Sequence, residues 1–214
     1  GWEKRSVSEP SNESVVRGPR EGFTENLRTN TALLRRKIRN ASLQIESLQI
    51  GDRTHTNVCI AYIEGLANPD LLKELRKRLQ TIHTDAILAS GYVEQYIEDA
   101  PYSVFQTIGY SEKPDVIAGK LLEGRAALIV DGTPFVLTMP MLFIENFQTS
   151  EDYVVRSFYA SFLRVIRLIA FVFSMLAPAM YVVLAAFQQE LIPTPLLFTM
   201  AASSEGVPFP AAIE

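Results

Sequence analysis

LIAFVFSMLAPAMYVVLAAF, residues 168–187, is a run of twenty residues without a charge. As a helix it is about 30 Å long at roughly 1.5 Å per residue, which matches the hydrocarbon thickness of a bilayer. Ser174 and Tyr181 are its only polar side chains, and Pro178 stands mid-span. Proline supplies no N–H and favours a kink, which membrane helices tolerate. A buried helix of a large soluble domain would have a similar composition, so the flanks decide. Arg156, Arg164 and Arg167 lie just before the run, and no Lys or Arg follows Arg167. Positive charge on one flank keeps that flank in the cytoplasm. Residues 1–167 are therefore expected inside the cell, with Gln188 onward on the other side and the three arginines as topology anchors at headgroup level. Ala177, Pro178 and Ala179 mark the expected kink, where small residues allow close helix packing or pore lining; ordinary lipid-facing surface is the alternative. The run is too far from the start to be a cleaved signal peptide.

Outward from this span, the balance of the chain is uneven. All 20 Lys and Arg fall in the first 167 residues, and the last 47 residues carry only Glu190, Glu205 and Glu214. A net charge of -4 over 214 residues argues against a dedicated nucleic-acid binder. Cys59 is the only cysteine, so no disulfide forms within the chain, in keeping with a reducing compartment. The chain opens on Gly1 and stops at Glu214 within a loop-like stretch, and it is expected to be a fragment of a longer membrane protein.

Residues 1–22 read as a polar connector with Pro10, Gly18, Pro19 and Gly22, and at most a short strand at Val15-Val16. In 23–40, Phe23, Leu27, Leu34 and Ile38 fall on one helix face, with Thr24 as the expected N-cap. Arg28, Arg35, Arg36, Lys37 and Arg39 crowd the other side and the C-terminal turn. A solvated basic face, a contact with anionic lipid or an acidic partner subunit, and nucleic-acid binding are the three readings. Nucleic acid ranks last because no aromatic residue alternates with the charges.

Leu43 to Ile50 reads as a strand with a register change near Ser47, and Asn57 to Ile63 as a strand covered on both faces. Asn68 and Pro69 open a helix lined by Leu71, Leu72, Leu75, Leu79 and Ile82. A short strand is expected at Ala86–Leu88, a helix from Ser90 with Val93, Tyr96 and Ile97 inward, and a strand over Ser103–Gly109. Pro114 starts a further helix with Val116, Ile117, Leu121 and Leu122 inward and Gly124 as its stop. Ala126–Val130 reads as a buried strand, turned by Asp131-Gly132 into a hairpin with Phe135–Thr138. Met141–Phe147 looks helical, and an amphipathic juxtamembrane helix over 151–167 turns Phe158, Phe162 and Ile166 toward the bilayer. Alternating strands and helices predict an α/β domain over 23–150 with a mixed sheet and flanking helices. The juxtamembrane helix, one transmembrane helix over 168–187 and a proline-rich outer loop over 188–214 follow. Ile192–Ala202 is too short to cross a bilayer by itself.

Little catalytic chemistry is legible. His55, Cys59 and His83 match no zinc-ligand spacing, and neither a Walker-type nor a G-x-G-x-x-G phosphate loop is present. Asp131 ends an apolar strand, as a phosphoryl-accepting aspartate does, but Ile129 and Thr133 stand where a companion acid would be needed; a hairpin turn is the simpler reading. Cys59 reads as a small buried apolar residue. The chain is expected to be no enzyme and to use no cofactor or metal.

Several stretches together resemble a known family: VVRGPREGFTENLRTNTALLRRKIRN (15–40), AYIEGLANPDL (61–71), KLLEGRAALIVDGTPFVLTMP (120–140), EDYVVRSFYASFLRVIR (151–167) and QELIPTPLLFTMAASSEGVPFP (189–210). They are similar to the A subunit of spore germination receptors, the GerA family. The resemblance implies a protein of the inner spore membrane whose hydrophilic N-terminal region faces the core and is followed by several spans. It also implies B and C subunits as partners, self-association, a response to nutrients and a contribution to an ion-conducting path. The fragment would then hold the later part of the N-terminal region, the first span and the start of the outer loop. A sporulation-stage paralogue, and a transporter's membrane-anchored cytosolic binding module, are the alternatives.

Overall fold

The computed structural model describes residues 18–149 and 155–187, together with Val7, Pro10, Glu13 and Asp152. The Val15-Val16 strand, most of the connector, the start of the juxtamembrane stretch and the whole outer loop, with Ile192–Ala202, lie outside the described residues. The chain divides into a unit ending at Ser157 and a second beginning at Phe158.

The first unit is a five-stranded sheet between two layers of helices. Its elements are α1 (Leu27–Lys37), β1 (Leu43–Ile50), β2 (Thr56–Ile63), α2 (Pro69–Gln80), α3 (Ser90–Ile97), β3 (Gly109–Ser111), α4 (Pro114–Leu122), β4 (Ala126–Val130) and β5 (Val136–Met139). A 3-10 turn, Phe143–Phe147, follows. The strands lie in the order β1-β2-β4-β5-β3. The α/β class with flanking helices stands, but every ladder is antiparallel and the expected mixed pairing is absent. The cause is β5. Helix α4 joins β3 to β4, which run the same way, yet β5 turns back from β4 and inserts between them.

Alternation along the strands sorts the core into two halves. Val58, Ile60, Leu128, Val130 and Leu137 face α2 and α3, whose Leu75, Leu79, Val93 and Ile97 close that layer. Cys59, Ala61, Ala127, Ile129 and Val136 face α1 and α4, meeting Leu33, Leu34, Ile117 and Leu121. Each fully buried aliphatic side chain contributes about 1.5–3 kcal/mol, and all five β4 residues are buried. The β1 register runs unbroken from Leu43↔Ile63 to Ile50↔Thr56, so no register change occurs near Ser47. Leu43 and Ile45 serve one helical layer, while Leu48 and Ile50 serve the other; the apolar residues change face because different layers cover the two halves of the strand.

Helix α2 begins as expected, with the Asn68 side chain accepting the Asp70 N–H at 2.9 Å and Pro69 in the first turn. The N-cap of α1 is Asn26, not Thr24: its Oδ1 accepts the Thr29 N–H at 3.1 Å. Thr24 instead lies buried and exchanges hydrogen bonds with Asn30. Gly124 ends α4 at φ +87°, where a Cβ would sit 2.7 Å from the Leu66 carbonyl oxygen. Three expectations fail. Ala86–Leu88 forms no strand: Ile87 is anchored through its N–H and carbonyl to the Thr54 and Thr56 hydroxyls. The strand expected at Ser103–Gly109 shrinks to Gly109–Ser111, with Val104 fully turned to solvent. Tyr96 and Leu122 are exposed, their apolar character having no core partner.

The second unit contains α5, one continuous helix from Ser157 to Phe187 that runs through both the expected juxtamembrane stretch and the expected span. Its segment Ser157–Val183 is long and apolar enough to cross a membrane, and none of its most apolar window is buried.

Candidate functional site

The five basic residues expected to act together on α1 separate into distinct settings. Arg36 and Lys37 converge on Glu21, at 2.5 and 3.5 Å. The Arg39 Nε–H caps the helix by donating to the Arg36 carbonyl at 3.3 Å. Arg28 and Arg35 line a polar groove of about 440 Å³ with Thr31, Ser47, Asn57 and Asp131. No described carboxylate pairs with Arg28, Arg35 or Arg39. The face is thus partly neutralised at its end and open along the groove, where it can receive an anionic partner.

Asp131 has a structural task. Its Oδ1 accepts the Leu27 N–H at 3.0 Å, and the Gly132 N–H donates to the Glu25 carbonyl at 2.8 Å. The β4–β5 turn therefore caps the first turn of α1 across the sheet, satisfying an orphan helix donor. Cys59 lies beneath the same groove, buried, with Sγ 3.3 Å from Ser47 Oγ; burial pushes its thiol pKa up, so it is held as the unreactive thiol. His55 and His83 are exposed in loops. Among the described residues no three His, Cys, Asp or Glu side chains are placed to hold a metal.

The arrangement richest in charge centres on a residue that belongs to no sequence motif. Glu145, in the 3-10 turn, accepts the Leu142 N–H at 2.7 Å and a hydrogen bond from Arg125 Nη1. Lys120 Nζ stands 3.0 Å from its other carboxylate oxygen and donates to Thr138 Oγ1 at 3.2 Å. The side chains of Glu145, Lys120 and Arg125 are only 5, 8 and 12% exposed. Burial opposes ionisation of Glu145, but the Leu142 N–H, Arg125 and Lys120 outweigh it and hold the carboxyl below its usual range. The cluster ties α4, the start of β4 and the turn after β5 into one rigid joint. A cavity of about 280 Å³ opens beside it, where Glu13 accepts the Ser111 hydroxyl at 2.7 Å; burial pushes the Glu13 carboxyl up.

Arg156 lies at the end of the first unit, just before α5, and Arg164 and Arg167 lie in the first turns of α5, both partly buried. Ala177, Pro178 and Ala179 are exposed in mid-helix, with helical backbone on both sides of the proline.

Comparison with known proteins supplies the context. The model of the family described as Bacillus/Clostridium GerA spore germination protein matches residues 1–214. The chain belongs to the GerA family. It is 50% identical over 214 residues to spore germination protein KA of Bacillus subtilis, covering all of this chain and 39% of that protein. It is 43% identical to spore germination protein GerLA of Bacillus cereus, again over all of this chain and 43% of that protein. A B. subtilis relative named as the uncharacterized membrane protein YfkQ is 46% identical over 214 residues, all of this chain and 42% of that protein. Among solved structures, the N-terminal domain of the A subunit of the Bacillus megaterium spore germinant receptor GerK3 is 54% identical, with a TM-score of 0.46, over 57% of this chain and 97% of that one. The GerA chain spans about two fifths of the length of the curated relatives it matches.

Within this GerA-family chain, the structure joins Arg28, Arg35 and Asp131 around one groove. Glu145 had a weak signal in the sequence: it is the one acid inside the apolar run MLFIENF. A lone acid in such a run needs a buried partner, but its cations lie 20 and 25 residues away in the chain, out of reach of any local pattern.

Proposed function

We propose that the chain is the later N-terminal region and first span of the A subunit of a nutrient-responsive spore germination receptor. On this reading α5 crosses the inner spore membrane, anchored by Arg156, Arg164 and Arg167, and the α/β unit lies on the core side. The unit works as a rigid, non-catalytic body that assembles with B and C subunits and with further copies of itself, and the bend at Pro178 contributes to an ion-conducting path. The observation that carries the reading is the family match over residues 1–214 together with an uncharged helix of spanning length. The α1 groove, at its Arg28 end, is the surface offered to an acidic partner. Deleting the gene in a spore former that retains no other nutrient receptor tests this: nutrient-triggered germination is lost, and germination by non-nutrient routes survives. Undiminished nutrient germination contradicts it.

A second reading, a membrane-anchored module that binds a small molecule, is favoured by one observation, the polar cavity beside Lys120 and Glu145. Calorimetry with amino acids and nucleotides separates the two, since saturable heat abolished by Lys120→Met supports the module.

A further inference from the structure

One end of the sheet is marked by Leu43, Ile63, Ala126 and Met139, and the opposite end by Ile50, Thr56, Val130 and Val136. The first end is apolar on its outside. Leu66 follows β2, Leu122 closes α4, and Leu142 and Phe143 follow β5; Phe105, in the approach to β3, packs edge-on against Phe143 at 4.8 Å between ring centroids. These side chains are 46–59% exposed, and Val104 beside them is 92% exposed. Several exposed large apolar side chains gathered at one end of a folded unit point to a place of interaction. Helix α1 ends at the same place, since Ile38 leads directly into β1 at Leu43, and it brings Arg35, Arg36, Lys37 and Arg39 with it. Of the acids nearby, Glu123 pairs with Arg125 at 3.0 Å, while Glu64 keeps its charge and accepts from the neutral Gln44 Nε2 at 2.9 Å.

Exposed Leu, Phe and Val bordered by Arg and Lys form the mixture that a lipid interface accepts. The apolar side chains enter the acyl boundary, and the cations remain among anionic headgroups. The chain also leaves from this end. Nine residues, 148–156, separate the 3-10 turn from α5, and fully extended they reach about 30 Å. That length is the greatest separation the link allows between the 3-10 turn and the start of α5. We propose that this end of the α/β unit docks on the bilayer, with Leu66, Leu122, Leu142 and Phe143 in the interface and Arg35 and Arg39 against anionic headgroups. The proposal rests on α5 being a membrane span. It moves the lipid contact of the basic residues from the length of α1 to its C-terminal end.

The whole chain, reconstituted in vesicles of phosphatidylcholine and phosphatidylglycerol, tests it. Trp2 is the only tryptophan, so Trp2→Phe gives a silent background for Phe143→Trp at the docking end and Leu88→Trp, an exposed position near the opposite end. Both changes keep a large apolar side chain at a solvent-facing site, and circular dichroism checks the fold. Lipids brominated on their acyl chains should quench the Phe143→Trp variant and leave Leu88→Trp unchanged, whereas aqueous acrylamide should quench only Leu88→Trp. Equal acrylamide quenching of both overturns the proposal, and so does a Phe143→Trp signal insensitive to either quencher, which means that protein covers the site. Failure of the chain to stay with the vesicles removes the span itself, and the docking with it; retention without bromolipid quenching removes the docking alone.

Discussion

Replacing Glu145 by Gln removes one charge from the joint between α4, β4 and the turn after β5, and leaves the buried Lys120 facing a neutral amide while Arg125 keeps its pair with Glu123. The side chain of Lys120 is 8% exposed, so water cannot rescue it. Breaking a buried ion pair by removing one partner costs about 3–5 kcal/mol. The amide oxygen still accepts the Leu142 N–H, which reduces the expected loss to about 2–3 kcal/mol. For a unit of this size about 1 kcal/mol moves the melting temperature by roughly 2–4 °C, so Glu145→Gln should melt about 4–12 °C lower. Thermal unfolding of the chain in detergent, followed by circular dichroism, reads this directly. Lys120→Met supplies the coupling: the double variant should cost about 1 kcal/mol less than the sum of the singles. A melting temperature unchanged by Glu145→Gln, or strictly additive singles, refutes the view that the cluster is a stabilising joint.

Stability should also fall in acid through two named carboxylates. The Arg76 guanidinium, 2.7–2.8 Å away, is the main cause that holds Glu46 below its usual range, and Glu145 is held low by its own partners. A folded-state pKa below the unfolded value gives stability that is complete above the unfolded value of about 4.3 and is lost as pH falls through the folded value. Glu13 and Glu94, pushed up by burial, act in the opposite sense at higher pH. The denaturation midpoint should therefore drop below about pH 4.5, and the drop should shrink in Glu46→Gln; an equal drop in that variant contradicts the assignment. Asp131→Ala should lose about 0.5–2 kcal/mol, the usual worth of a helix cap, while Asp131→Asn, which retains an acceptor, should lose less and leave germination unaffected. A germination defect in Asp131→Asn without loss of stability would give Asp131 a chemical role.

Much of the fold is written locally. Asn68-Pro69 announces α2, Pro114 and Gly124 bracket α4, and the unbroken apolar run at Ala126–Val130 is a strand covered on both faces. The misreadings are failures of partnership. Val104 and Phe105 have strand-like side chains but no core to enter, so β3 keeps three residues. Apparent irregularity in β1 reflects two helical layers, which a single strand cannot reveal. The insertion of β5 between β3 and β4 turns an expected mixed sheet antiparallel, and only the pairing shows it. Likewise the α1 cations were visible as a group, but Glu21 takes Arg36 and Lys37 and leaves Arg28 and Arg35 to the groove. Glu145 stayed hidden because its partners are distant in sequence.

The central claim is that α5 crosses a bilayer and holds the α/β unit on its arginine-bearing side. Single cysteines at Lys73 and at Glu205, introduced in a Cys59→Ser background and probed with a membrane-impermeant maleimide on intact cells and on inverted vesicles, test it. Labelling of Glu205→Cys only from outside the cell and of Lys73→Cys only in inverted vesicles is the predicted result; labelling of both positions from the same side contradicts it.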